Sequence, residues 1–214
     1  MLQNAPNPSE NPKSPRQVPG RPRLTNFAVV LDTNVLADSE VRDVCLSAAE
    51  HCLFRPIWSQ DIMNEMRCVL LGFGITDERV DRLIRRMDAA FPEAMVDGYE
   101  DLIDAMTCDK KDRHVLAAAI VGGAQLIVTE DLGDFPSEST RKYGIDAVSP
   151  DHFLCDLLSL DHNSMLEALS GMAQRRQKPP KTIPDIIEAL RARGCEEFAR
   201  QATVVVESFF GKQN

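Results

Sequence analysis

Short, continuous apolar runs alternate with helical segments along residues 26–150 of this 214-residue chain. The first run, FAVVLD, starts at Phe27 and ends on Asp32, and comparable runs occur in LFRPIWS, QLIVT and GIDAV, with a shorter candidate at 94–96. Such runs are typical of strands that are buried on both faces of a parallel sheet, whose crossovers are helices. The alternation therefore predicts an α/β fold with three layers, α/β/α, and a mostly parallel central sheet.

Helical patterns fill the intervals between these runs. A helix is expected over roughly 40–51, and Ser59 has the residue type and place of an N-cap for the next helix. Thr76 begins another, YEDLIDAM predicts a short one, and an Ala-rich helix from about Asp112 should stop at the glycines 122–123. The predicted apolar face of the helix after Ser59 consists of Ile62, Met66, Val69 and Leu70.

The two ends of the chain have other compositions. Residues 1–25 are rich in proline and nearly free of large apolar side chains, so we expect a disordered tail, unless translation starts downstream of it. Residues 151–214 hold only helical patterns, interrupted at RRQKPPKTIP. The predicted division is therefore a tail at 1–25, an α/β domain at 26–150 and a helical extension at 151–214 that packs on it.

The overall charge limits the classes of partner. Lys and Arg total 24 against 33 Asp and Glu, a net charge of −9, which excludes a large basic nucleic-acid surface as the main binding device. The six cysteines form no C-x-x-C pair, which indicates reduced thiols rather than a zinc site. No apolar run approaches the ~20 residues of a membrane span, and the N-terminus lacks the pattern of a signal peptide. We therefore expect a cytoplasmic protein without a membrane partner.

Four carboxylates fall where a ligand crevice is expected. Ligands of open parallel sheets bind beyond the carboxyl ends of the strands. Asp32 ends the first strand, Asp131 follows QLIVT, Asp112 opens the Ala-rich helix, and Glu65 lies on the helix after the second strand. Carboxylates gathered in one crevice repel one another unless cations neutralise them, and all-oxygen ligation suits Mg²⁺ or Mn²⁺. The sequence therefore predicts an acidic metal site.

Several phrases together resemble a known family. LDTNVL, the helix with Glu65, DKKDRHVLAAAIVGGAQLIVTEDLGDFP and YGIDAVSPDHFL are similar to PIN-domain ribonucleases, specifically to VapC-type toxins of bacterial toxin–antitoxin pairs with a C-terminal helical extension. The resemblance covers about 26–155. It implies a PIN-like fold and metal-dependent endonucleolytic cleavage of RNA with Mg²⁺ or Mn²⁺, leaving a 5′-phosphate and a 3′-hydroxyl.

The resemblance also implies a role for individual residues. It implies that four acids hold the metal and are catalytic: Asp32, Glu65, Asp112 and Asp131. Asn34 and Thr129 match orienting positions, and Asp134 falls on an acid that commonly follows. A small antitoxin protein is the implied partner besides RNA, and a homodimer is left open. Because the crevice is acidic, the antitoxin segment that enters it should be basic, with Arg preferred for its bidentate fork.

Each of these residues has a structural alternative. Asp32 and Asp112 can serve as helix caps, and Asp61 lies one turn from Glu65 on the same helix face. Asp131 and Asp134 follow a strand in a loop, where acids are common. His114 is expected to be a packed, hydrogen-bonded residue rather than a base. Solvated surface is the expected setting of the cations Lys110, Lys111, Arg113, Arg175, Arg176, Lys178 and Lys181.

Functions of other classes fit the same residues less well. A phosphatase of the haloacid-dehalogenase type needs a second Asp as its general acid, where this chain has Asn34. A phospho-accepting receiver domain needs a lysine after its last strand, and SPDHF offers none. The alternatives to a toxin are a non-catalytic PIN-like binding module and a housekeeping RNA-processing nuclease.

Overall fold

The central sheet of the computed structural model is parallel throughout. The structure describes residues 27–176 and 178–210, so the predicted tail at 1–25 lies outside the described residues. Within them, five strands form one sheet in the order β3-β2-β1-β4-β5. The strands are β1 (Ala28–Leu31), β2 (Arg55–Ser59), β3 (Met95–Val96), β4 (Leu126–Val128) and β5 (Asp146–Val148). The predicted α/β fold with a central parallel sheet and helices on both faces is confirmed.

The strand β1 lies at the centre and sets the register of the site. All four of its residues are fully buried, as the continuous apolar run predicts. Leu31 pairs with Val128 of β4, so the two strands end at the same level. In β2, Pro56 is tolerated because β3 pairs only with Trp58 and Ser59, and a missing N–H at position 56 costs no ladder bond on that side.

Two helices replace the single one predicted after β1. They are α1 (Thr33–Ala37) and α2 (Ser39–Glu50), and they are separated by Asp38. The Asp38 side chain accepts hydrogen bonds from the backbone N–H groups of Glu40 and Val41, which starts a new helix instead of continuing the first. The prediction for 40–51 was therefore right for α2 and missed α1.

The next helices form a hairpin beside β2 and β3. They are α3 (Gln60–Gly72) and α4 (Asp77–Ala90). Ser59 caps α3 as predicted, because its hydroxyl accepts a hydrogen bond from the N–H of Ile62 at 3.3 Å. The buried face of α3 contains Met63, whereas Val69 is only half-buried, because the helix packs slightly rotated from the predicted face.

The following segment leads back to the sheet. YEDLIDAM forms a 3₁₀ helix over Glu100–Ala105 rather than the predicted α-helix. The predicted Ala-rich helix is α5 (Arg113–Val121), preceded by a 3₁₀ turn at Lys110–Asp112. It ends before Gly122, where a Cβ atom would lie 2.7 Å from Ile57 Cδ1, so a larger residue requires Ile57 to shift. A short helix α6 (Ser137–Thr140) precedes β5.

The C-terminal helices share the core of the α/β domain. They are α7 (Pro150–Leu160), α8 (His162–Arg175), α9 (Ile183–Arg191) and α10 (Glu196–Phe210). Phe153 of α7 packs edge-on against Phe54, with ring centroids 5.0 Å apart. Arg176 lies 2.9 Å from Asp43 and also pairs with Glu40, which holds this region against α2. In the described residues, no helix is long and apolar enough to cross a membrane.

Candidate active site

The centre of the candidate site is Asp32, directly after β1. Its backbone N–H donates to the carbonyl of Val128 at 3.1 Å, which fixes it at the end of β4 as well. The side chain is buried, and Oδ1 accepts from the Thr33 N–H at 2.7 Å. Oδ2 accepts from Thr129 Oγ1 at 2.7 Å and from Asn34 Nδ2 at 3.2 Å. Burial raises the pKa of Asp32, and these bonds only partly oppose it.

The polar residues Asn34 and Thr129 connect Asp32 to the loop after β4. Asn34 Nδ2 lies 3.0 Å from Thr129 Oγ1 and 3.2 Å from Asp131 Oδ2. Thr129 Oγ1 also accepts from the Asp131 N–H, and Asn34 Oδ1 accepts from the Glu130 N–H. The Asn34 Nδ2 group thus donates to both Asp32 and Asp131. This network orients the two carboxylates, the arrangement that the family pattern implies for Asn34 and Thr129.

The second acid of the crevice is Asp112, which is half-buried at the start of α5. Its side chain is only 16 % exposed, and Oδ2 is buried without a hydrogen-bond partner among the described residues. Burial, and then the negative charge of Asp32, raise the pKa of Asp112 to about 7. An oxygen left without a hydrogen-bond donor beside a second carboxylate is costly, because no donor replaces the water that burial removes from it. The site therefore has an excess of negative charge.

A lysine lies among these acids. Lys111 Nζ is 2.9 Å from Asp134 Oδ2 and 3.8 Å from Asp112 Oδ2. The pKa of Lys111 is raised, first by the contact with Asp134 and then by the charge of Asp112. Asp134, which the family pattern leaves without a defined role, therefore belongs to the crevice through this lysine. Lys111 is exposed, as the sequence predicts, and its ammonium also neutralises part of the charge of the crevice.

Glu65 approaches the crevice from α3. Its Oε2 accepts from Thr33 Oγ1 at 2.7 Å and lies 3.4 Å from His114 Nε2, an ion-pair distance without hydrogen-bond alignment. Burial raises the pKa of Glu65, but the contacts with His114 and Thr33 outweigh it, and the pKa is lowered. For His114, burial lowers the pKa, and the neighbouring Glu65 raises it by more. Thr33 and His114, which the sequence reasoning did not assign to the site, thus position Glu65.

The alternative acid on the same helix has a different partner. Asp61 Oδ2 accepts from the Tyr99 hydroxyl at 3.0 Å, and the Asp61 N–H also points toward that hydroxyl. Glu65 therefore faces Thr33, next to Asp32, while Asp61 faces Tyr99. The geometry favours Glu65 over Asp61 as a member of the crevice.

The carboxylates of the crevice have the chemistry of divalent-metal ligands, but their side chains are not arranged around a common metal position. As their side chains stand, no three His, Cys, Asp or Glu of the described residues form a group that could hold a metal ion. Glu65 is drawn to Thr33 and His114, and Asp134 to Lys111. The partnerless oxygen of Asp112 and the raised pKa of Asp32 are nevertheless what a hard cation would relieve. The residues of the crevice therefore fit a divalent cation chemically, and Asp32 and Asp112 are the central ligands of such a site.

Comparison with known proteins gives the class. Residues 28–133 match the PIN domain, and residues 150–203 match the VapC50 C-terminal domain. The chain therefore belongs to the PIN-domain proteins of the VapC type that carry this C-terminal domain, as its sequence predicted.

One relative can be named. Over 93 residues the chain is 43 % identical to the Mycobacterium tuberculosis (strain ATCC 25618 / H37Rv) protein named "Putative ribonuclease VapC50". That stretch covers 44 % of this chain and 55 % of the relative, so the match spans about half of the relative's length. No solved structure matches the chain.

Proposed function

We propose that the protein is a metal-dependent endoribonuclease that hydrolyses RNA phosphodiesters at this carboxylate crevice. The observation that carries the proposal is the buried Asp112 oxygen without a hydrogen-bond partner, exposed to the charge of Asp32. Such a pair is unfavourable in a metal-free protein and becomes favourable when a cation lies between the carboxylates. Membership of the PIN-domain family and a relative named as a ribonuclease support RNA as the substrate.

The residues have separate tasks in this proposal. Asp32 and Asp112 would hold Mg²⁺ or Mn²⁺, together with Glu65 and Asp131, because hard divalent ions prefer carboxylate oxygens. When bound, the ion supplies Lewis-acid activation of the attacking water and stabilises charge on the phosphate. Thr129 holds Oδ2 of Asp32 in place and favours its ionised form, since its hydroxyl donates to that oxygen at 2.7 Å.

The experiment is a cleavage assay with purified protein, an RNA substrate, and either Mg²⁺ or EDTA. Asp32→Asn and Glu65→Gln should abolish cleavage, because each removes a negative ligand with little change in volume. Asp61→Asn is the matched control on α3, since its carboxylate is bound to Tyr99, and it should keep activity. The products should carry 5′-phosphates and 3′-hydroxyls.

Three results would contradict the proposal. Undiminished cleavage by Asp32→Asn would show that this crevice is not the active site. Robust cleavage in EDTA would indicate a metal-free acid–base ribonuclease. RNA binding without cleavage in Mg²⁺ would indicate the non-catalytic binding module instead.

The same proposal includes control by a partner protein. A nuclease of cellular RNA must be held inactive, and VapC-type relatives form pairs with antitoxins. Lys111 already forms an ammonium–carboxylate pair with Asp134, and an Arg or Lys of a partner can pair with Asp32, Asp112 and Asp131 in the same way. We therefore propose a small antitoxin whose inserting segment is basic.

Expression with and without the neighbouring reading frame tests this control. Growth should be arrested only when the neighbour is absent. Equal growth in both strains, with cleavage by the purified protein established, would leave a housekeeping RNA-processing enzyme.

A further inference from the structure

The outward face of α4 carries arginines that pair with no carboxylate. Arg79, Arg82 and Arg86 are exposed, and none of them has a carboxylate oxygen within 4.0 Å among the described residues. Their spacing of three and four residues places them on one side of the helix, along about 10 Å of its axis. We call these three residues the arginine face.

The arginines of the C-terminal helices have a different environment. Every arginine of the described C-terminal helices and their connections is paired with an acid, for example Arg191 with Glu188 and Arg200 with Glu197. On α4, by contrast, Arg82 and Arg86 are one turn apart and repel each other. Glu78, four residues before Arg82, is engaged by Thr76 at the start of the helix. A concentration of uncompensated cations is unusual in a chain with a net charge of −9.

The position of α4 connects this face to the candidate site. Arg67 of α3 pairs with Asp77 and Asp81 of α4, which clamps the two helices together. A cleft of about 250 Å³ between them is lined by Asn64 of α3 and by Asp88 of α4, among others. Asn64 is the sequence neighbour of Glu65, so the stretch of α4 that contains Arg86 lies beside the turn of α3 that carries Glu65. Arg82 and Arg79 follow about one and two turns toward the start of α4.

We propose that the arginine face binds phosphates of the RNA strand outside the crevice. This proposal rests on the proposed ribonuclease function. An acidic protein repels RNA, and a local row of guanidinium groups supplies the attraction that the crevice lacks. A protein partner is less suited to this face, because α4 itself exposes no large apolar side chain to anchor it, and the exposed Phe73 lies in the turn before α4, outside the arginine face. Arginine binds phosphate oxygens without reading bases, so this surface contributes affinity rather than sequence choice.

The test measures binding of a labelled single-stranded RNA by the non-cleaving Asp112→Asn protein at several salt concentrations. For single strands, the slope of log K against log salt changes by about 0.7 for each phosphate contact. The double substitution R82Q/R86Q should therefore reduce the slope by about 1.4. R191Q/R200Q removes the same charge from paired arginines of the C-terminal helices and should leave the slope nearly unchanged.

A second measurement uses the same substitutions in the protein with Asp112 intact. R82Q/R86Q should raise KM for RNA several-fold and leave kcat at saturating RNA nearly unchanged, because the arginine face lies outside the crevice and does not contact the reacting phosphate. Thermal melting should show both double variants folded, since unpaired surface arginines and single surface ion pairs both contribute little to stability.

The outcomes separate this proposal from the one on which it rests. Equal salt slopes for the two doubles, in a protein that cleaves RNA, would overturn the arginine face alone. Loss of binding to the protein encoded by the neighbouring reading frame, with RNA binding intact, would assign the face to a protein partner and overturn the RNA assignment. A chain that neither binds nor cleaves RNA would overturn both.

Discussion

Replacing Asp112 with Asn should stabilise the metal-free protein at pH 8 and abolish cleavage. In the unfolded chain this carboxyl loses its proton near its ordinary pKa of 3.8, whereas in the folded protein its pKa is raised to about 7. Between these values the folded state binds more protons than the unfolded state, so stability falls as pH rises from about 4 to 7. Above pH 7 the full cost of the charged Asp112 is present.

The magnitude follows from the difference in pKa. Roughly three pKa units at about 1.36 kcal/mol each give an upper bound of about 4 kcal/mol. Since water and Lys111 both reach part of the carboxylate, we take about half of this, ~2 kcal/mol. Asn carries no charge and avoids this cost. For a chain of this size about 2 kcal/mol corresponds to a rise in Tm of about 4–8 °C.

The assay is thermal unfolding of the wild type and Asp112→Asn at pH 5 and pH 8, in EDTA and in Mg²⁺. The advantage of the variant should be largest at pH 8 in EDTA and small at pH 5. Mg²⁺ should raise the Tm of the wild type and leave the variant nearly unchanged, because the ion binds the native wild-type site. Asp104→Asn, at an exposed aspartate, is the control and should unfold with the wild type. Equal or lower stability of Asp112→Asn at pH 8 in EDTA would refute the reasoning.

Three further predictions concern other contacts. Thr129→Val removes the hydroxyl that lowers the pKa of Asp32, so the acidic limb of the pH–activity profile should move to higher pH; an unmoved limb would contradict it. Lys111→Met removes the tethered ammonium and should tighten Mn²⁺ binding about 2- to 5-fold by calorimetry, the equivalent of roughly 0.5–1 kcal/mol, while Lys110→Met should not. Gly122→Ala places a Cβ 2.7 Å from Ile57 Cδ1. It should destabilise the protein by about 1–3 kcal/mol in urea unfolding, and a loss of less than about 0.5 kcal/mol would show that Ile57 moves aside.

Local causes made much of the fold predictable. The apolar run of β1 and the glycine after α5 are visible in the sequence, and the hydroxyl of Ser59 at the start of α3 acts on a backbone N–H only three residues away. A pattern in the sequence is enough to identify such features. The break between α1 and α2 also has a local cause, the capping oxygen of Asp38, so it was available in the sequence although it was missed.

Packing decided the features that differ from the predictions. The buried face of α3 includes Met63 in place of Val69 because its rotation is set by contact with α1 and α4, not by the spacing of apolar residues alone. YEDLIDAM winds as a 3₁₀ helix, a choice that its composition does not specify.

The sequence by itself determined which residue types end the strands, and hence that acids gather at one edge of the sheet. Only the tertiary structure decided how those acids are partnered. Asn34 meets Asp131 across 97 residues and Thr33 meets Glu65 across 32, and neither spacing is visible as a periodicity. The physical reason is that these contacts depend on strand register and helix packing. Leu31 opposite Val128 places Asp32 beside Thr129, and the turn into α5 brings Lys111 to Asp134.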